Sequence, residues 1–247
     1  GSSMKFKFSL ISMLALLAFS FSANAQMLNG STVPTSEGDL IINPVSHASF
    51  IMSWKDKTVY VDPVGGVGAY DGLPRPDLIL LTDIHGDHLD GTTLAGIVGN
   101  AEIVAPAAVV AQLPAGLVER AVSLPNGGIA QRLDITVKAI PMYNLTDDRL
   151  QFHDKGRGNG YVVTFGDTRV YISGDTEDIP EMRALEDIDV AFICFNLPYT
   201  MTERQAADAV NAFRPGIVYP YHYQGSDLAL FTSMVDEEIE VRSGNWY

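Results

Sequence analysis

Cysteine and basic residues are scarce in this chain. Cys194 is the only cysteine, so no intrachain disulfide can form, and its place in an apolar run predicts a buried, inert thiol. The 30 Asp and Glu residues outnumber the 16 Lys and Arg residues, which gives a formal net charge of −14 at pH 7. So acidic a chain repels phosphate backbones, and the sequence therefore predicts no nucleic-acid partner. A Gly-x-Ser-x-Gly elbow is also missing, which leaves serine catalysis without support.

An apolar segment near the start of the chain predicts export. Lys5 and Lys7 precede an uncharged run over residues 8–21, and Ala23-Asn24-Ala25 supplies a typical signal-peptidase site. The run is shorter than the roughly 20 residues of a spanning helix, so a cleaved signal is favoured over a membrane anchor. We expect a mature chain from about Gln26, a periplasmic or secreted location and no stable membrane insertion after cleavage.

Residues 26–247 predict a single α/β domain because no linker divides them, whereas residues 1–25 comprise a tag remnant and the signal peptide. Helices are predicted at residues 92–98, 106–113, 180–185 and 226–235, together with a helix that begins at a Thr200-to-Glu203 capping box and ends before Pro215. Apolar runs predict strands at residues 40–42, 48–54, 58–61, 77–81, 102–104, 117–124, 129–133, 135–140, 161–165, 169–172, 190–195, 216–220 and 239–241.

Two longer patterns organise these elements. The hairpins at residues 50–62 and 162–175 resemble each other, and each ends in an aspartate. They predict two similar half-sheets that face each other. Residues 141–159 form a long polar connection, which in a compact domain is usually functional.

The stretch Asp83-Ile84-His85-Gly86-Asp87-His88 directly follows an apolar strand. Carboxylates and imidazoles crowded at a strand end are costly unless something neutralises them, and a divalent metal does so. The alternative is a solvated loop whose acidic residues cap the helix that begins near Thr92. The donor set favours the metal site, with Zn, Fe or Mn as the ion.

This stretch resembles the His-x-His-x-Asp-His signature of the metallo-β-lactamase-fold hydrolases, except that Asp83 stands where the first His would be. Ser173-Gly174-Asp175-Thr176 resembles the Gly-Asp-Thr of the family, and Pro220-Tyr221-His222-Tyr223 resembles its last metal-binding His segment. His47 resembles a His near the domain start in the ascorbate-6-phosphate lactonase-like and N-acyl-phosphatidylethanolamine phospholipase-like branches. The resemblance implies a four-layer αββα sandwich of two mixed sheets flanked by helices.

The resemblance also implies a dinuclear ligand set. One metal ion would bind Asp87, His88 and His222, and Asp175 would bridge it to a second ion. The second ion would bind His85, Asp175, Asp83 and one further group.

The family usually supplies a third His before the bridging aspartate, and Asn144 lies in the segment that often carries it. Because an amide is a poor ligand, His153 is expected instead, with Asn144 or an open position as alternatives. One or two divalent ions are expected, Zn first. The departures at Asp83 and Asn144 make the second ion's site oxygen-rich, which also admits Mn or Fe.

The predicted reaction is hydrolysis of a small-molecule substrate. By resemblance, a metal-bound hydroxide would attack a small ester, lactone or phosphodiester, with Asp87 and His47 as catalytic residues. The alternatives are β-lactamase-type amide hydrolysis and a non-catalytic binding protein with a degenerate metal site. Substrate contacts are expected from four residues, each of which could instead have a packing or turn role: Tyr143, Asn144, Arg157 and Tyr223. The sequence predicts no oligomeric state.

Overall fold

The computed structural model of the chain describes Gly1 and residues 30–247. The predicted signal peptide lies outside the described residues, so its cleavage stays a prediction. Within the part that the structure describes, no helix combines the length and the apolar character needed to cross a membrane.

Two seven-stranded sheets form the centre of the molecule. In the first sheet the strands follow chain order, antiparallel from β1 to β4 and parallel from β4 to β7. These strands are β1 (Ser31–Val33), β2 (Leu40–Ser46), β3 (Ser49–Trp54), β4 (Lys57–Val61), β5 (Leu78–Leu80), β6 (Glu102–Ala105) and β7 (Ala121–Ser123).

The second sheet repeats this plan in the other half of the chain. Its strands β8 to β11 pair antiparallel, and β11 to β14 pair parallel, so both sheets are mixed. These strands are β8 (Ile129–Arg132), β9 (Ile135–Met142), β10 (Gly158–Phe165), β11 (Thr168–Ile172), β12 (Val190–Cys194), β13 (Ile217–Tyr221) and β14 (Glu240–Val241).

Alternating side chains place the sheets face to face. In β3, Phe50 and Met52 point into the core between the sheets, whereas Ile51 belongs to a separate core on the outer face of the first sheet. Phe50 stacks on Phe192 of β12, with ring centroids 4.1 Å apart, and so joins the two sheets. Cys194 of the same strand is fully buried, as predicted, and burial raises the pKa of its thiol to about 12.

Helices cover both outer faces. The outer core of the first sheet includes Leu94 of α1 (Gly91–Ile97) and Val109 of α2 (Ala107–Val110). On the second sheet, Tyr171 packs edge-on against Phe213 of α4. The second group of helices is α3 (Pro180–Arg183), α4 (Glu203–Phe213) and α5 (Leu228–Met234). The predicted four-layer αββα sandwich is therefore confirmed.

Several predicted boundaries were wrong. The capping box of α4 is formed by Thr202 and Gln205, not by Thr200 and Glu203. The Thr200 hydroxyl is buried and donates to Asn196 instead. Only β7 forms within the predicted strand at 117–124, because a 3₁₀ turn, Val118–Arg120, occupies the residues before it.

The long connection is shorter than predicted. β9 continues through Pro141 to Met142, and Gly158 pairs with Met142, so the loop comprises residues 143–157. The residues before Gly38, for which no strand was predicted, contain the edge strand β1.

Candidate metal centre

Six of the seven predicted ligand residues lie where strands of both sheets end. Four of them follow β5 in the first sheet, and Asp175 and His222 follow β11 and β13 in the second. His153 comes from the loop at residues 143–157. Because the carboxyl ends of parallel strands open at one edge of a sheet, this topology brings together residues from both halves of the chain.

A tight turn holds the first motif in place. The backbone amides of His88 and Leu89 both donate to the carbonyl of His85 at 2.9 Å. Asp90, rather than Asp83 or Asp87, caps α1 by accepting from two backbone amides at its start. The cap and the ligand cluster therefore coexist, with the capping role confined to Asp90.

The donor atoms form two groups, and within each group they lie within 4.8 Å of one another. We call Asp87, His88, His222 and Asp175 the Asp87 half-site, and Asp83, His85, His153 and Asp175 the Asp83 half-site. This is the grouping that the resemblance implied, although the role of these residues as ligands stays a prediction.

Asp175 belongs to both half-sites. Its Oδ2 lies 3.0 Å from Nε2 of His88 and 3.2 Å from Nε2 of His153, and its Oδ1 lies 3.2 Å from Nε2 of His222. One carboxylate thus faces three imidazoles from separate segments.

Buried polar atoms at the centre lack partners. Both ring nitrogens of His153 and Oδ1 of Asp175 are buried without a hydrogen bond of suitable geometry. Such atoms are costly in a folded protein unless an ion or another group satisfies them. Imidazole and carboxylate are the donors that divalent transition metals prefer, so these residues fit a metal ion.

Two histidines are held by the nitrogens that point away from the centre. Nδ1 of His88 lies 2.7 Å from Oδ2 of Asp62, whose carboxylate also accepts from the amide and hydroxyl of Thr82. Nδ1 of His222 lies 3.0 Å from Oδ1 of Asn196. Both arrangements leave Nε2 directed at the centre, as second partners of metal-binding histidines commonly do.

Sequence reasoning did not single out Asn196. The only available signal was its position directly after the apolar run that contains β12.

Charges at the centre stabilise one another. Burial raises the pKa of Asp175, but His222 and His88 lower it more, and the net pKa lies well below the ordinary value. For Asp87, hydrogen bonds from His222 and His47 likewise outweigh burial and lower the pKa. The pKa of His88 moves up, because the attraction of Asp175 and Asp62 exceeds the effect of burial. The carboxylates of the centre therefore favour a positive charge among them.

His47 lies beside the Asp87 half-site. Its Nε2 is 3.2 Å from Oδ2 of Asp87, and its ring packs on that of His222 with centroids 3.8 Å apart. The backbone amide of His222 donates to the carbonyl of His47, and both residues have positive φ. The hydroxyl of Tyr247, which sequence reasoning missed, lies 2.8 Å from Nδ1 of His47. No sequence pattern relates these two residues.

Arg157 contacts the Asp83 half-site rather than open solvent. Its Nη2 lies 3.2 Å from Oδ1 of Asp83, and its Nε donates to the same oxygen at 3.3 Å. The other oxygen of Asp83 lies 2.9 Å from Nδ1 of His85. The aspartate that departs from the family signature therefore has an arginine partner.

A cavity of about 430 Å³ opens onto the centre. The predicted substrate residues Tyr143, Asn144, Arg157 and Tyr223 are not among its lining residues. Its walls are formed by His47, His85, Asp87, Phe152, His153, Asp175, Asn196, Leu197, Tyr199, His222 and Gln224.

Three of the predicted substrate residues have internal partners instead. The side-chain amide of Asn144 donates to the carbonyls of Arg149 and Tyr199, and so ties together two loops beside the cavity. The Tyr143 hydroxyl donates to Glu181, and the Tyr223 ring packs edge-on against Tyr247.

Comparison with known proteins identifies the family of this chain. The beta-lactamase superfamily domain matches residues 42–222, a span that contains all seven predicted ligands. A UPF0173 metal-dependent hydrolase from Hyperthermus butylicus is 30% identical over 193 residues, which cover 72% of this chain and 81% of that protein. Neither match identifies the lactonase-like or phospholipase-like branch, which stays a prediction.

Solved structures are also similar to this chain. A candidate metal-dependent hydrolase from Parabacteroides distasonis is 36% identical, with a TM-score of 0.82 over 89% of this chain and 100% of that one. CmlA, a diiron β-hydroxylase from Streptomyces venezuelae, superposes with a TM-score of 0.60 at 22% identity, over 83% of this chain and 48% of that one. At that identity the second likeness concerns the fold alone.

Proposed function

The chain belongs to the beta-lactamase superfamily and is a metal-dependent hydrolase, and we propose that it is exported and cleaves a small, uncharged ester or lactone. The observation that carries the proposal is the pair of half-sites, joined by Asp175, at a cavity whose other lining side chains carry no charge.

The two half-sites would each hold a divalent ion, Zn first and Mn or Fe as alternatives. An ion bound there would lower the pKa of a water molecule and polarise the carbonyl oxygen of the substrate. The protein supports these roles because Asp62 and Asn196 fix the rings of His88 and His222.

Asp87 is the carboxylate of the centre that is most open to the cavity. Its side chain is 42% exposed, whereas that of Asp175 is 3% exposed. Hydrogen bonds from His222 and His47 lower the pKa of Asp87, so its carboxylate is ionised at neutral pH and can accept a hydrogen bond that orients an attacking water molecule. We assign this role to it.

His47 is placed to move a proton to the leaving group. His47 lines the cavity, and its Nε2 lies 3.2 Å from Oδ2 of Asp87. Tyr247 holds the other ring nitrogen, which fixes the orientation of the imidazole. In the proposed step the carbonyl carbon gains the water oxygen and the ester C–O bond breaks, and His47 passes the proton that the water releases to the departing oxygen.

The walls of the cavity favour an uncharged substrate with an apolar group. Phe152, Leu197 and Tyr199 supply apolar surface, and Asn196 and Gln224 supply amides. The described residues that line the cavity include no arginine, and Arg157 is engaged by Asp83, so a phosphodiester would lack the guanidinium that such anions usually meet. The volume of about 430 Å³ suits a small molecule.

Export is part of the proposal because of the apolar segment at residues 8–21 and the Ala23-Asn24-Ala25 site that follows it. These features support processing near Gln26 and a periplasmic or secreted enzyme.

The first test is metal content per chain, measured by elemental analysis without added metal. We expect up to two ions, and we expect Asp175→Asn to lose them, since that residue serves both half-sites. Asp71→Asn, which makes the same change at an exposed position, should keep them.

A substrate panel completes the test. The metal-loaded protein should cleave aryl esters or lactones faster than aryl phosphodiesters and β-lactams. A folded protein that refuses added metal would overturn the proposal, and one that binds metal but cleaves nothing in the panel would instead support the binding-protein alternative.

A further inference from the structure

We propose that Arg157 makes the two half-sites unequal, so that the Asp87 half-site fills first and the Asp83 half-site binds its ion more weakly. This inference rests on the proposed metal-dependent function. It concerns a residue for which sequence reasoning expected a substrate contact or a turn role.

The guanidinium of Arg157 is held rigidly against the Asp83 half-site. Nη2 donates to the carbonyl of Phe152 at 2.7 Å, and it also reaches both carboxylate oxygens of Asp83, at 3.2 and 3.4 Å. The Asp83 side chain is fully buried and that of Arg157 is 18% exposed. An arginine keeps its charge at every relevant pH, so a fixed positive charge faces this half-site.

The Asp87 half-site has the opposite surroundings. Among the described residues, no Lys or Arg forms an ion pair with Asp87 or Asp175. A further buried carboxylate, that of Asp62, lies 2.7 Å from His88. A divalent ion in this half-site therefore meets two carboxylates with a third behind them, whereas in the Asp83 half-site it meets two carboxylates and a guanidinium.

The difference in charge predicts the order of filling. Like charges a few ångströms apart in a buried site repel strongly, because little water screens them. An ion that enters the Asp83 half-site must share Asp83 with Arg157. It must also share Asp175 with the first ion, which adds to the same effect.

A purely mechanical role for Arg157 makes a different prediction. If the arginine served only to orient Asp83, its removal would weaken binding at that half-site, as the loss of an orienting partner usually does. If its charge sets the affinity, removal of the charge strengthens binding. The sign of the effect therefore separates the two roles.

The experiment is a titration of the metal-free protein with cobalt(II), followed by visible absorption and by competition with a chelator. We expect two steps for the unaltered chain. Arg157→Gln should tighten the second step by about tenfold or more, because the opposing charge is gone. Arg157→Lys keeps the positive charge, so the difference in affinity between the two steps should remain. Lys155→Gln also removes one positive charge from the same loop, but no ion pair joins Lys155 to Asp83. The difference in affinity between the two steps should therefore remain in this variant.

Two further variants test which half-site gives each binding step. His153→Gln should remove only the weaker step and His222→Gln the tighter one, and this comparison remains decisive should Arg157→Gln fail to fold. The inference is overturned by equal steps in the unaltered chain, by the reverse assignment, or by weaker binding in Arg157→Gln. A protein that binds no cobalt at all would overturn the proposed function as well, whereas two equal steps would leave that function standing.

Discussion

At the scale of single residues, the metal centre depends on side chains that would not themselves touch an ion. Asp62 and Asn196 hold His88 and His222 by their far nitrogens, and Tyr247 does the same for His47. Each contact fixes a ring that could otherwise turn its wrong nitrogen to the cavity.

The His85–Asp83 pair gives a prediction about pH. The hydrogen bond to Asp83 is the main cause that raises the pKa of His85 above its ordinary value of about 6.5. A raised pKa means that protonated His85 stabilises the fold below pH ~6.5 and that this contribution disappears as the pH rises through the folded-state pKa. In metal-free protein, we expect the difference in unfolding free energy between the unaltered chain and His85→Gln to shrink between about pH 6 and pH 9.

Denaturant titrations in the presence of a chelator would measure this difference. A constant difference across that pH range would contradict the prediction, because it would mean that His85 contributes through packing rather than through its charge.

The residues of the two half-sites could be predicted from the sequence, but most of their partners could not. Asp83, His85, Asp87 and His88 form a compact motif, and Asp175 and His222 each follow an apolar strand. The pairing of Arg157 with Asp83 joins residues 74 positions apart in sequence, and that of Tyr247 with His47 joins residues 200 apart. Such contacts depend on how loops pack, for which a single sequence carries no periodic signal.

At the scale of elements, the loop at residues 143–157 shapes the cavity because it is tied to the segment after β12. The buried amide of Asn144 donates to the carbonyls of Arg149 and Tyr199, at 2.9 and 2.7 Å. Tyr199 in turn contacts Phe152 edge-on, with ring centroids 5.0 Å apart. The residue that stands where the family often has a ligand serves here to join two loops.

Asn144→Ala should release this tie. We expect a loss of about 1–3 kcal/mol in unfolding free energy, because two carbonyls lose their donor, and faster amide hydrogen exchange in residues 143–157. Thr202→Ala is the matched control. It removes the cap of α4 at a cost of about 1 kcal/mol but should leave exchange in that loop unchanged. Equal exchange rates in the loop of both variants would contradict the proposed tie.

Element types were easier to predict than element ends. Apolar runs identified most of the strands, because strands buried in a sheet consist largely of apolar side chains. The short edge strand β1 was missed because two of its three residues, Ser31 and Thr32, are polar and only its pairing with β2 defines it. The capping box lies two residues later than predicted. The hydroxyl of Thr200 donates to Asn196 in a buried contact, so Thr202 caps α4 instead.

At the scale of the whole molecule, the two sheets share one core. Phe192 is fully buried and stacks on Phe50 of the opposite sheet and on Tyr219 of its own. The predicted likeness of the two hairpins is seen in the matched plan of the sheets, antiparallel in their first strands and parallel in their last.

Phe192→Ala should lower the unfolding free energy by about 3–5 kcal/mol through the cavity that it leaves. Because both sheets lose contacts, we expect a single denaturant transition at a lower midpoint with an unchanged slope. Leu145→Ala, at an exposed apolar position, should change stability by less than about 0.5 kcal/mol. Two separate transitions in Phe192→Ala would contradict a shared core.

The fold class could be predicted from the family signature, with which the likeness of the two hairpins agrees. The substrate could not, because the cavity walls come from loops whose side chains follow no repeat, such as Phe152, Leu197 and Tyr199.

The seven predicted ligand residues extend from Asp83 to His222 and come from both halves of the chain. A growing polypeptide therefore presents only fragments of the centre while it leaves the ribosome. The first hairpins and the Asp83-to-His88 turn can form early, but Asp175 and His222 have yet to be made. If these residues bind metal as proposed, the centre can fill only after synthesis of nearly the entire polypeptide, with the ions available where folding is completed.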